Sequence, residues 1–241
     1  MQSPDIDITN LQIVSLSDHS LLINFGNRID AETNDRVLSL HQHLMQDGFE
    51  GYVESVPAYA SLAVFYDVLK IRSKGMASAF DFVKKELEIL LEKEHAFVTP
   101  THDLISIPVC YGGEFGPDIA IVAALHQISE EEVIRLHSST IYRVYMIGFT
   151  PGFAYMGTVA DKLITPRKER PRILVHAGSV GIAGIQTGVY PMDSPGGWQI
   201  IGKTFLHLFD KNKPQPCLLK AGDRVQFVAI SKNEFDSNYG I

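Results

Sequence analysis

Apolar positions in the first hundred residues switch between two periods. Residues 11–25 alternate around the polar turn Ser17-Asp18-His19-Ser20, which predicts two short strands. Asp30 is placed to cap a helix reaching about Gln46, with Val37, Leu40, Leu44 and His41 on one face and Gly48 as its stop. Residues 52–58 and 61–66, rich in Val, Tyr and Phe, predict a strand pair. A second helix opens near Ser78. Phe80, Val83, Leu87 and Leu90 recur there at helical spacing, and Lys84 and Glu88 form an i,i+4 pair on the other side. Residues 104–110 alternate once more. Two strands, helix, two strands, helix and strand is the order of a ferredoxin-like sandwich.

The texture then changes. Charged Glu92-Lys93-Glu94-His95 followed by Thr99-Pro100-Thr101 reads as a linker, which divides the chain into domains 1–98 and 99–241. Pro117 and Asp118 open a short helix to about His126, and Ser129-Glu130-Glu131-Glu132 is a capping box for another ending at His137. A partly charged imidazole is expected at that helix end, where it favours the dipole. Beyond Thr140, glycine and proline punctuate short β-rich runs as far as Ile230, the pattern of a barrel or sandwich. The fold expected is α+β.

Composition narrows the function classes. The chain has 241 residues and a net charge of −7, so neither nucleic acid nor an anionic membrane surface is a default partner. Cys110 and Cys217 are too few for a disulfide framework or a thiolate zinc site, and the nine histidines never fall in a metal-ligand spacing. No apolar run is long enough to span a bilayer. The start carries Asp5 and Asp7 with neither a basic residue nor an apolar core, so a cytoplasmic protein is expected.

Candidate chemistry concentrates between Gly148 and Gly202. In Gly148-Phe149-Thr150-Pro151-Gly152-Phe153-Ala154-Tyr155-Met156-Gly157, the aromatics either wall a pocket or fill a core; the residues leave both readings open. Pro166-Arg167-Lys168-Glu169-Arg170-Pro171-Arg172 stands out in an acidic chain. Arginine forks recognise carboxylate and phosphate, so Arg167 and Arg172 are anion-binding candidates, while Lys168 and Arg170 are assigned to a solvated face. Ala177-Gly178-Ser179-Val180-Gly181 resembles a nucleophile elbow but lacks its first glycine, and Gly181 and Gly184 prevent the following helix. An anion nest of backbone amides suits this turn better. Gly197-Trp198-Gln199-Ile200-Ile201-Gly202-Lys203-Thr204 satisfies the phosphate-loop spacing, yet its central residues favour an extended strand, and a strand is expected.

Five segments in series resemble one family: Pro108 to Asp118, Gly148 to Gly157, the proline–arginine segment, Ala177 to Pro191, and Ser194 to Thr204. Together they look like the PxpB/KipI family, also called allophanate hydrolase subunit 1. The resemblance implies a ferredoxin-like N-terminal domain followed by a cyclophilin-like β-barrel. It also implies the B-type subunit of an ATP-dependent 5-oxoprolinase that opens 5-oxoproline (pyroglutamate) to L-glutamate. In such a complex the partners are a larger PxpC/KipA-like subunit and a LamB-type, PxpA-like subunit. No cofactor is assigned to the chain itself, ATP being used by the complex; because the residues offer no nucleotide loop, the active site is expected at the interface with the larger subunit, this chain contributing one wall. Substrate or anion contacts are expected from Arg167, Arg172, Ser179, Gln186 and Tyr190, and no catalytic residue is assigned. The alternative implied by the same resemblance is a non-catalytic, KipI-type inhibitor of a sporulation histidine kinase. Two positions depart from the family pattern, His176 standing where Pro is common and Thr204-Phe205 where Thr-Pro is usual.

Overall fold

The computed structural model describes residues 11–73, 75–92 and 104–238. The acidic start and nearly all of the expected linker, with the boundary at residues 98 and 99, lie outside them. The chain divides into two compact units, Met1–Thr101 and His102–Ile241.

In the first unit, β1 (Gln12–Ser17) and β2 (Ser20–Asn24) form a hairpin, and β3 (Tyr52–Pro57) and β4 (Ser61–Tyr66) form another. They join into one antiparallel sheet of order β1-β2-β4-β3. Helix α1 (Ala31–Gln46) starts where the Asp30 carboxylate accepts the Thr33 N–H at 2.8 Å, and it buries Val37, Leu40 and Leu44. His41, on the same face, bonds the Ser55 hydroxyl at 2.7 Å. A short helix α2 (Val68–Arg72), capped by Asp67, precedes α3 (Ala79–Glu92). Val83 and Leu87 of α3 enter the same core as Leu21, Ile23, Leu62 and Val64. Sequence periodicity did not register α2, because five residues are too few to show a helical repeat.

The second unit is built on a closed seven-stranded barrel of order β10-β7-β6-β13-β5-β12-β9. Its strands are β5 (Leu104–Tyr111), β6 (Ile141–Ile147), β7 (Ala154–Gly157), β9 (Ser179–Ala183), β10 (Gln186–Val189), β12 (Gln199–Lys203) and β13 (Arg224–Ala229). A two-stranded ribbon pairs β8 (Arg172–Val175) with β11 (Ser194–Gly196). The strand 104–110, which completes the sandwich order when the pattern alone is read, belongs to this barrel: β5 pairs with β12 and lies parallel to β13. Alternation predicts a strand but not the sheet it joins.

Helices α4 (Ile119–His126) and α5 (Glu130–Ser139) lie between β5 and β6, and α6 (Lys232–Asn238) follows β13. His137 of α5 is fully buried, stacked on Phe227 at 4.5 Å. Burial depresses its pKa from 6.5 to about 3, so the charged helix-end imidazole expected from sequence is a neutral core residue instead. Its neighbours specify the tautomer. Thr187 gives its hydroxyl proton to the Gly181 carbonyl at 3.0 Å, so His137 Nε2–H must donate to Thr187 Oγ1 at 2.8 Å. Nδ1 then accepts the Tyr111 hydroxyl at 2.7 Å. Among the described residues no helix is long and apolar enough to cross a membrane.

Candidate functional site

The site begins with a carboxylate that the sequence pattern disguises as a helix cap. Asp118 precedes α4, yet its side chain makes no capping bond, and only 2% of the residue is exposed. Oδ2 accepts the Ile200 N–H of β12 at 2.7 Å, while the Asp118 N–H donates to the Ile200 carbonyl at 2.9 Å. The register of β12 against β9 shifts between Ile200 and Gly202, an irregularity at the edge of this contact. Close approach of the chain before α4 to β12 depends on Gly116, where a Cβ would overlap the Ile201 carbonyl.

Asp118 Oδ1 takes two cations from the proline-bounded segment: Arg172 Nη2 at 2.7 Å and Lys168 Nζ at 3.0 Å. Burial by itself would raise the carboxyl pKa. The bonds from Arg172, the Ile200 amide and Lys168 outweigh it and hold Asp118 ionised below the usual carboxylate range. Lys168 is therefore not on a solvated face, as its place in a charged run implied; its side chain is three-quarters buried against an internal anion.

Two further bonds hang the basic segment on the start of β12. Lys168 N–H donates to the Gly197 carbonyl at 2.7 Å, and Gln199 Nε2 donates to the Pro166 carbonyl at 3.0 Å. The result is a shallow, open cleft of about 460 Å³ lined by Ile121, Arg167, Lys168, Glu169, Arg170 and Gln199. With Lys168 committed to Asp118, Arg167 and Arg170 are the cations this lining offers beside the Glu169 carboxylate.

A compact aromatic cluster lies next to the arginines. Phe153 meets Tyr155, Tyr190 and Trp198 edge-on at 4.8, 5.2 and 5.3 Å. Phe153, Tyr190 and Trp198 are almost fully buried, so most of the aromatics serve a core. Burial raises the Tyr190 pKa, against a backbone hydrogen bond from Trp198 and the nearby charges of Arg167 and Arg172. Its hydroxyl abuts Gly196, where no side chain would fit. Tyr155, partly exposed, also feels the charge of Arg167.

The five residues expected at the site separate into two groups. Arg167 lines the cleft, Arg172 lies behind it on Asp118, and the Tyr190 hydroxyl lies within reach of both charges. Ser179 and Gln186 do not line this cleft. Ser179, 7% exposed, starts β9 with its N–H on the His176 carbonyl at 3.1 Å. Gln186 opens β10 opposite Gly157, about 13 Å along the strand direction from Tyr190 at 3.3 Å per residue. The nest reading of this turn also gives way. Gly178 N–H donates to the Tyr190 carbonyl, and Ala177 N–H to the Asp193 carboxylate at 2.8 Å, so the anion seated there is the chain's own. Residues 199–203 form strand β12, as their β-branched character required, not a phosphate loop.

Sequence reasoning missed Asp118 and Gln199. The only signal for Asp118 was arithmetic of a kind: a cluster of three arginines and a lysine in an acidic chain calls for an internal counter-charge. Gln199 sits in the false phosphate loop and carried no signal of its own.

Comparison with known proteins adds the lineage. The carboxyltransferase domain, subdomain C and D, family model matches residues 11–219. The B-type subunit of 5-oxoprolinase from Bacillus subtilis (strain 168) is 44% identical over 227 residues, 93% of this chain and 95% of that one. The protein of the same name from Escherichia coli O157:H7 is 45% identical over 193 residues, 80% and 84% of the two chains. The crystal structure of TTHA0988 superposes with a TM-score of 0.75 at 35% identity, covering 88% of this chain but only 40% of the longer one. By family model and by full-length relatives alike, the chain belongs to the carboxyltransferase subdomain C and D family, and within it to the PxpB/KipI branch.

Proposed function

We propose that this chain is the B-type subunit of an ATP-dependent 5-oxoprolinase complex, contributing one wall of an active site shared with a larger subunit. One observation carries the reading: the arginine-lined cleft beside Asp118 suits a small carboxylate, yet it is shallow and open, a half-site. The names of the full-length relatives agree with it. So does the length of TTHA0988, in which the matching region is continued by further chain. The partners in this reading are the larger PxpC/KipA-like subunit and the LamB-type, PxpA-like subunit, in the cytoplasm. The same reading takes residues 1–98 as a ferredoxin-like domain, supported by the four-stranded antiparallel sheet with its helices. Residues 99–241 are then a cyclophilin-like barrel, supported by the closed seven-stranded sheet.

The chemistry is the opening of an unreactive lactam. Transfer of the ATP γ-phosphoryl group to the lactam oxygen releases ADP and leaves an electrophilic carbon. Water adds there, the C–N bond breaks, and the nitrogen takes up a proton. A second water cleaves the resulting acyl phosphate to glutamate and phosphate. Arg167 and Arg170 hold the substrate carboxylate, and the fixed Asp118–Arg172 pair keeps that wall rigid, so that orientation is set before phosphoryl transfer. Gln199–Lys203 form an extended strand in place of a phosphate cradle, which supports an active site completed by the larger subunit.

The test is co-expression with the companion subunits and measurement of ATP consumption with and without 5-oxoproline. ATP hydrolysis stimulated by 5-oxoproline, with stoichiometric glutamate, is expected of the assembly and not of this chain alone. Stimulation in the isolated chain would overturn the shared site; none in the assembly would overturn the function.

A further inference from the structure

Two neighbouring helices of the second unit meet solvent in opposite ways. On α5 the exposed positions are Glu130, Glu131, Arg135 and Ser139, as a solvated face requires. On α4 they are Ala120, Ile121, Ala124 and Leu125, with Ile121 47% and Leu125 53% exposed. Ile119, Val122 and Ala123 fill the inner side as part of the barrel core, so no position from Ile119 to Leu125 is polar. A helix apolar on every side belongs between two packed layers, and α4 is covered on one side only. It is also tied down at both ends. The Ile200 N–H donates to Asp118 ahead of its first turn, and His126 Nε2 donates to the Ile164 carbonyl at 3.0 Å in its last. The outer face is therefore preformed, and little ordering is needed to cover it.

We infer that the outer face of α4 is the docking surface for the larger companion subunit. The inference rests on the reading of the cleft as a half-site and deepens it, naming the surface on which the other half is seated. Ile121 joins the two. It lines the cleft with Arg167 and Arg170, and it also begins the exposed row that continues one turn on at Leu125. A protein body that closes the cleft on that side lies over Ile121, and the apolar row carries the contact on to Leu125. In TTHA0988 the region similar to this chain makes up 40% of a longer polypeptide, so there further protein is tethered to it. The partner's matching surface is apolar, since a charged group set against this row would lose water without gaining a partner. Closure sets a dry wall beside Arg167 and Arg170, where their charges act through less water.

The experiment uses the full chain and the larger subunit, read by analytical ultracentrifugation and by hydroxyl-radical labelling of exposed side chains. In the unaltered proteins, Ile121 and Leu125 are expected to lose most of their reactivity on assembly. Leu125, which lies outside the cleft lining, is then replaced: Leu125→Lys should raise Kd for the larger subunit about 30-fold or more. The isolated variant should melt as the unaltered chain does, because the position is already half exposed. Labelling of Leu125 that persists at full strength in the assembly overturns the inference with no variant involved. So does a Leu125→Lys chain that melts normally and assembles with unchanged Kd, or an isolated chain whose α4 is already covered by a second copy. If the larger subunit does not bind the unaltered chain, the shared site of the proposed function falls first. Binding that leaves α4 exposed sinks the docking surface alone.

Discussion

Arg172 reaches across the chain to Asp118, Nη2 to Oδ1 at 2.7 Å, and so ties the ribbon strand β8 to the start of α4. The carboxylate it meets is 2% exposed and is bonded besides by Lys168 and the Ile200 amide. A pair this buried is hard to break from one side: removing the anion strands two cations in a poorly solvated place. Asp118→Asn is expected to destabilise the barrel unit by about 3–5 kcal/mol. In urea this should appear as a lower midpoint at unchanged m-value. A midpoint equal to that of the unaltered chain would show the clamp to be energetically idle.

The two arginines first singled out should behave differently. Arg167 is exposed at the cleft, so Arg167→Ala should leave stability within about 0.5 kcal/mol while raising KM of the complex roughly tenfold or more. Arg172→Ala removes the partner of Asp118 and should lose stability and activity together. Thermal melts beside steady-state kinetics on both variants decide the matter. Identical profiles for the two would contradict the division of labour.

Acidification should act on the barrel core through His137. Its pKa is about 3 when folded and 6.5 in an unfolded chain, so between those values the unfolded state binds more protons. Stability is fully present above pH 6.5 and falls as pH drops, by about 1.4 kcal/mol per unit from this group. Asp118 adds to the loss only lower down, as pH falls below the ordinary carboxylate range towards its depressed pKa. Between pH 6.5 and 5 the unaltered chain should lose about 2 kcal/mol more than His137→Gln, read from urea unfolding at each pH. Parallel curves would mean that the ring is not held neutral.

Gly116 should tolerate nothing larger. A methyl group there meets the Ile201 carbonyl, which belongs to a paired strand and has no rotamer to escape into. Gly116→Ala is expected to cost about 1–3 kcal/mol and to loosen the Asp118–Ile200 contact, raising KM as well. Amide exchange at Ile200 provides a direct readout, and unchanged protection there would count against the argument.

Much of the architecture was legible because it is local. Asp30 and Ser129 cap helices by side-chain bonds spanning three residues, and alternation in residues 104–110 marked a buried strand, so these elements could be read directly. Gln199–Lys203 defeated its phosphate-loop spacing for the same reason, Ile200 and Ile201 preferring extended backbone. The short α2 lay below the resolution of periodicity, and the sheet that β5 joins is a matter of distant partners.

The site was legible only in its chemistry. Charge composition and the proline-bounded arginines pointed to anion binding, and the choice of Arg167 and Arg172 came from sequence alone. Which of them is open to a ligand did not. That depends on Asp118 lying 54 residues from Arg172 in the chain and 2.7 Å from it in space. The same three-dimensional closure turned His137 from a helix-end charge into a neutral core ring, and left Gln186 and Ser179 outside the cleft. Propensity and capping act over a few residues, and sequence therefore determined the elements. Desolvation and charge pairing depend on whatever the fold brings alongside, and only the tertiary structure could decide which polar groups are consumed within the protein and which remain for a ligand.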